Sequence, residues 1–260
     1  MSRFTQRGAT GPLGFAKTDT DINLASLVGA KFETSDGREF VLVQNAGTAL
    51  AQGKLVQSPA AIGNHQGMTT STTVVGATTV TVTLGNTLVT ANQYAGGFLN
   101  TVEGTGLGQT LKVQSHPAAI ASATLVVTLE DPIQVATAVG DTKSSLTMNP
   151  YGSLNGTDYR TDGVVVCPTA LTGKIIGVSV SPIAASTATV ATYGFIQTKG
   201  LCGVLSHTGT TIGLGVGNST QSTPVAGACE TYVVANNVLI GNAVVAAVDL
   251  KYNLVDLNIS

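Results

Sequence analysis

Residues 72–84 read Thr72-Thr73-Val74-Val75-Gly76-Ala77-Thr78-Thr79-Val80-Thr81-Val82-Thr83-Leu84. In the second half of this stretch Val80, Val82 and Leu84 alternate with Thr79, Thr81 and Thr83. A period of two places the apolar side chains on one face of an extended ribbon and the hydroxyls on the other, which is the pattern of a half-buried strand. A helix, with its period of 3.6, would scatter the same residues around its axis. Both residue types are β-branched, and their stiff side chains suit a pleated sheet. The chemistry recurs along the chain, where 38 Thr and 31 Val make up 69 of 260 residues. The expected fold is therefore all-β: an antiparallel β-barrel or sandwich core, with a smaller β-unit in the middle of the chain and an extended N-terminal arm.

Working outward, strands are expected at 97–102, 109–114 and 124–129, separated by Gly104-Thr105-Gly106-Leu107-Gly108 and by Ser115-His116-Pro117. Glu130-Asp131-Pro132 closes this run, because Pro lacks a donor for the ladder and restrains the residue before it. Upstream, Asp36-Gly37 stands between two strand-like runs within 31–43 and predicts a hairpin, since Gly takes positive φ without strain. Short strands at 48–50 and 55–56 follow. Downstream, turn-rich residues 149–158 lead to more apolar strands at 164–166, 175–180, 193–198, 202–205, 232–235, 238–248 and 253–259. Helix is expected only at 21–27, capped by Asp19 or Asp21, and at 118–122. The resulting organisation is an arm at 1–25, a hairpin region at 26–70 packing with the C-terminal domain, a middle β-domain at 71–148 and a C-terminal barrel or sandwich at 149–260.

Charge narrows the function. Twelve Lys+Arg and 14 Asp+Glu amount to 10% of the chain, against about 25% in an average globular protein. Neutralising phosphates needs clustered cations, and a net charge of −2 with twelve dispersed cations opposes nucleic-acid binding. No apolar stretch approaches the ~18 residues of a membrane span, and the N-terminus lacks the apolar run of a secretory signal. Neither membrane nor nucleic acid is an expected partner.

Motifs for chemistry are weak. Cys167, Cys202 and Cys229 are odd in number and lack CxxC spacing, which disfavours a zinc site; they read as small buried hydrophobes, the alternative being a Cys202–Cys229 disulfide with one thiol left over. His65, His116 and His207 stand apart from carboxylates and cysteines in the sequence and read as surface or turn histidines. No Gly-x-Ser-x-Gly elbow surrounds any serine. The clusters Gly104-x-Gly106-x-Gly108 and Gly213-x-Gly215-x-Gly217 lack the Lys and the following helix of a phosphate loop and read as turns and tight strand crossings. Glu130, Asp131 and Asp141, or Asp158 and Asp162, carry oxygens suited to a hard cation, yet without a calcium-loop spacing they read as solvated turns. Three Asn-x-Ser/Thr matches, at Asn155, Asn218 and Asn258, read as chance. No enzyme, metal or cofactor is expected. The residues read as contacts are Arg3, Phe4, Arg7 and Lys17, on an arm with two readings, a frayed terminus or an extended segment that orders only against a neighbouring subunit.

Several segments carry a resemblance when taken together: Asp36-Gly37-Arg38-Glu39-Phe40-Val41-Leu42-Val43-Gln44 with Gly53-Lys54-Leu55-Val56-Gln57, Leu129-Glu130-Asp131-Pro132-Ile133, Asn149-Pro150-Tyr151-Gly152, and Tyr193-Gly194-Phe195-Ile196-Gln197-Thr198-Lys199-Gly200. They resemble head structural proteins of tailed bacteriophages, especially capsid decoration (cement) proteins. The likeness runs from about Asp36 to the C-terminus and lies in strand and turn patterns. The chain is longer than the small decoration proteins, so none of their contact residues is carried over. The resemblance implies a homotrimer on the outer surface of a capsid, with the major capsid protein as partner, assembled in a bacterial cytoplasm. The alternatives are a tail, neck or fibre component of such a virion, and a carbohydrate-binding β-module, the last opposed by the absence of Trp.

Overall fold

The computed structural model describes residues 20, 22–154, 156–220, 223–233 and 237–259. It is all-β, with antiparallel sheets throughout. The chain divides into two compact units, one made of 1–59, 150–152 and 159–260, the other of 60–149 and 153–158.

The second unit is a six-stranded sheet in the order β4-β9-β6-β7-β8-β5. Its strands are β4 (Met68–Thr69), β5 (Thr79–Thr83), β6 (Phe98–Glu103), β7 (Thr110–Ser115), β8 (Thr124–Leu129) and β9 (Lys143–Thr147). A bridge from Thr70 to Val82 brings the two ends of this order together, so the sheet is a nearly closed barrel. The Thr/Val alternation sets its inside and outside. Val80 and Val82 are buried and Thr79 and Thr83 exposed, while across the ladder Val82 faces Leu125 and Val80 faces Val127, both buried. Leu99, Leu111, Val113, Leu146 and Tyr94 complete the core. The Gly104–Gly108 loop is a β6–β7 turn, with all three glycines at positive φ.

Among the described residues the first unit holds ten strands, including β1 (Lys31–Glu33), β2 (Glu39–Asn45), β3 (Leu55–Gln57), β10 (Val165–Val166) and β11 (Ile175–Ser179). The rest are β12 (Thr192–Leu205), β13 (Gly215–Asn218), β14 (Cys229–Thr231), β15 (Leu239–Ala243) and β16 (Tyr252–Asn258). The Asp36-Gly37 turn closes the β1–β2 hairpin, with Gly37 at φ 82°. The long β12 is the corner of the unit. Its first half pairs with β2 and β11, its second half with β16, and a register shift between Gln197 and Lys199 followed by Gly200 at φ 80° marks the bend. Such bulges let one strand serve two sheets. The half-sheet β12-β16-β15-β13-β14 returns on itself through a parallel bridge between Ser206 and Cys229. Cys202, Val204, Val216, Ile240, Val255 and Leu257 fill it, while Val41, Val43, Leu50, Ile183 and Ile196 form a second cluster in the same unit.

Several local expectations are corrected. Residues 48–50 form no strand, only a bridge from Leu50 to Ile183. The two expected strands 193–198 and 202–205 are one. Gly215 and Gly217 lie within β13, because strands pack so closely there that a Cβ on Gly217 would sit 2.8 Å from the Val238 carbonyl oxygen. Residues 118–122 are not helical: Ala119 pairs with Val89, and Pro117 precedes it. The strand at the start of 232–235 ends at Thr231, and Val234 and Ala235 lie outside the described residues. Strands β4, β9, β13 and β14 were not anticipated. A 3₁₀ helix occupies Ile22–Leu27, and the caps expected from Asp19 and Asp21 lie outside the described residues.

Candidate interaction surfaces

The arm residues Arg3, Phe4, Arg7 and Lys17 lie outside the described residues. The remaining candidates divide into buried polar clusters and exposed apolar surfaces.

All three histidines are buried, against the expectation of surface positions. In the second unit the His65 Nδ1 lies 2.5 Å from Tyr94 Oη and its Nε2 3.0 Å from the Thr87 carbonyl oxygen. His116 accepts a 3.0 Å hydrogen bond at Nε2 from the Tyr94 backbone N–H, and its Nδ1 faces the Pro117 carbonyl at 2.9 Å. A carbonyl only accepts, so the His116 proton belongs on Nδ1 and the neutral ring fits its site. Burial, with the nearby His65, pushes the His116 pKa below its ordinary value.

In the first unit His207 is not isolated from carboxylates, as its neighbours in sequence suggested. Its Nδ1 is 2.8 Å from Ser219 Oγ and 3.5 Å from Glu230 Oε2. A Ser-His-acid relay needs the hydroxyl and the carboxylate on opposite ring nitrogens. Here both approach Nδ1, Ser219 Oγ also accepts from the Val225 N–H, and all three side chains are buried. Glu230 Oε1 accepts from the backbone and hydroxyl of Thr220 and from Asn237 Nδ2. The cluster ties the β13–β14 connection to the end of β12. It was invisible in the sequence because its members are brought together by strand pairing across 24 residues.

The three cysteines are free and buried, and burial pushes each thiol up to about 12. No cluster of His, Cys, Asp or Glu among the described residues has the arrangement of a metal site. Glu130 pairs with Lys112 at 2.8 Å, and Asp141 accepts from the N–H and hydroxyl of Thr105, hydrogen bonds that lower its pKa. No helix among the described residues is long and apolar enough to cross a membrane.

What the surface does present is apolar. Twenty-four large hydrophobic side chains are exposed among the described residues. In the second unit a groove of about 340 Å³ is lined by residues 88–91, 118–120 and Thr157, none of them charged. Its floor is two extended segments joined by reciprocal hydrogen bonds between Val89 and Ala119. Leu88 and Ile120 line it at 57% and 77% exposure. In the first unit a recess of about 450 Å³ is bordered by Arg38, Gln52, Leu201, Gly203 and Tyr252. Several polar groups around it are engaged internally. Arg38 Nε pairs with Asp36 at 2.8 Å and its guanidinium lies over Phe40, Gln197 Nε2 donates to three carbonyls of β12, and Tyr252 Oη donates to the Gln52 carbonyl. Leu201 and Tyr252 are exposed beside it; Ile212 and Leu214 before β13, Leu239 on β15, and Val244 and Val245 after β15 are exposed as well. No protein-family model matches the chain, and neither a curated protein nor a solved structure does.

Proposed function

We propose that the chain is a viral structural protein, a decoration or cement protein that binds the outer surface of a tailed-phage head and stabilises the shell, as a homotrimer with the major capsid protein as partner. The observation that supports this most is the surface: 24 large hydrophobics exposed among the described residues of a chain with only 26 formally charged side chains. Where such side chains gather, as Leu88 and Ile120 do along the groove at 88–91 and 118–120, they suit a surface that other proteins cover. The resemblance of its strand and turn segments to decoration proteins supplies the kind of assembly. The physics is linkage: a ligand that prefers the expanded shell stabilises it by RT ln(1 + [L]/Kd), and multiple copies joined in trimers add avidity. No bond needs to be made or broken.

The test is rebinding. Purified protein added to expanded heads that lack it should co-sediment to saturation and raise the temperature at which the heads release DNA. Protein that stays in the supernatant while the heads remain intact would sink the proposal.

A further inference from the structure

The groove at 88–91 and 118–120 is apolar and belongs to a unit whose charge is one-sided. The unit carries Glu103, Glu130, Asp131, Asp141 and Asp158 against Lys112 and Lys143, a net −3 with its histidines neutral. Residues 1–19 have the complementary composition. Arg3, Arg7 and Lys17 oppose only Asp19, and Phe4, Leu13 and Phe15 are spaced among Gly8, Gly11, Pro12 and Gly14, residues that disfavour helix. Such a composition supplies apolar anchors among basic residues. Nineteen residues span at most about 60–70 Å when extended, enough to pass from one folded copy to the next.

We propose that this groove receives the N-terminal segment, residues 1–19, of a neighbouring copy of the chain, with Phe4 and Phe15 as anchors. Opposite net charges steer the segment to the unit, and burial of the aromatic rings against Leu88 and Ile120 holds it. The inference rests on the reading of the chain as a multi-copy assembly protein, since copies held side by side exchange termini at high effective concentration. Cyclic exchange around a trimer satisfies closed symmetry, every copy giving its segment to one neighbour and receiving one from the other.

The experiment uses the full chain with Phe15→p-benzoylphenylalanine, mixed equally from isotopically light and heavy preparations, irradiated in concentrated solution and on heads, and mapped by mass spectrometry. Expected are light–heavy crosslinks from position 15 to residues 88–91 or 118–120, reduced about ten-fold or more by Ile120→Asp, the loss that removal of one buried aliphatic contact gives. Ile120 is exposed in the free unit, so this variant should fold, which a circular dichroism melt checks. Crosslinks only within one copy, crosslinks elsewhere, or yields unchanged by Ile120→Asp overturn the inference. Co-sedimentation of the same preparation with heads separates the two failures. Protein that rides on heads without groove crosslinks loses only the exchange, whereas protein that ignores heads loses the capsid role whatever crosslinks form.

Discussion

At the scale of single residues, burial decides chemistry. His116 is held neutral by the Tyr94 N–H that its Nε2 accepts, and burial lowers its pKa from an ordinary 6.5. The unfolded chain therefore takes up this proton first as the solution is acidified. The contribution of His116 to stability is fully present above about pH 6.5 and is lost as pH falls through the lower folded-state value, at up to about 1.4 kcal/mol per pH unit for one proton. Thermal melts of His116→Gln between pH 8 and 5 should show a lower Tm at pH 8 and a flatter acid limb; an unchanged limb would remove His116 from the account. The cysteines follow the same logic. With each thiol pushed up to about 12, thiolate at pH 8 is on the order of 10⁻⁴ of the total. Ellman's reagent should find close to no reactive thiol in the native protein and three after denaturation without reductant. Burial of Cys167, Cys202 and Cys229 was legible in their odd number and their lack of CxxC spacing. Burial of His207 beside Glu230 was not, because the pairing depends on the β12–β14 bridge.

Strands fail or tolerate change by face and by spacing. Val82 is fully buried on β5 opposite Leu125, while Thr83 beside it is exposed. Val82→Asp buries an unpaired carboxylate at a cost of several kcal/mol. It should abolish the cooperative melting of the 60–149 unit, whereas Thr83→Asp leaves it nearly intact; equal effects would mean that the two faces are not distinguished. Backbone approach is the second constraint. A Cβ on Gly241 would lie 2.1 Å from the Asp256 carbonyl oxygen of the paired β16, while one on Gly203 meets nothing within 4 Å. Gly241→Ala should destabilise by at least about 1–3 kcal/mol in urea titration, and Gly203→Ala by less than about 0.5 kcal/mol. The strand at 79–83 could be read from alternation, and the Asp36-Gly37 hairpin from its turn. Strand β9 (Lys143–Thr147) could not, because Lys-Ser-Ser-Leu-Thr has no apolar period of its own and its Ser144 and Ser145 are buried only by pairing with β4 and β6.

For the whole molecule, each unit has its own core and its own exposed apolar surface, and the proposed role assigns both surfaces to other subunits. Removing residues 1–20 takes away the exchanged segment and none of the described strands. Sedimentation with heads should show occupancy of the truncated chain reduced by about ten-fold or more at limiting concentration, as expected for the loss of one anchored contact, with an unaltered circular dichroism spectrum. Full occupancy would leave the N-terminal segment without a part in attachment.

The sequence by itself determined the β class, the inside and outside of strands such as β5, the hairpin at Asp36-Gly37, and a sparse, nearly balanced charge, because each depends on residue type and on spacing within a few positions. Only the tertiary structure decided that Thr192–Leu205 is one bent strand serving two half-sheets, that three histidines are interior, and that 88–91 and 118–120 meet as one groove. Those outcomes depend on hydrogen bonds between segments far apart in the chain, for which no local pattern carries the register.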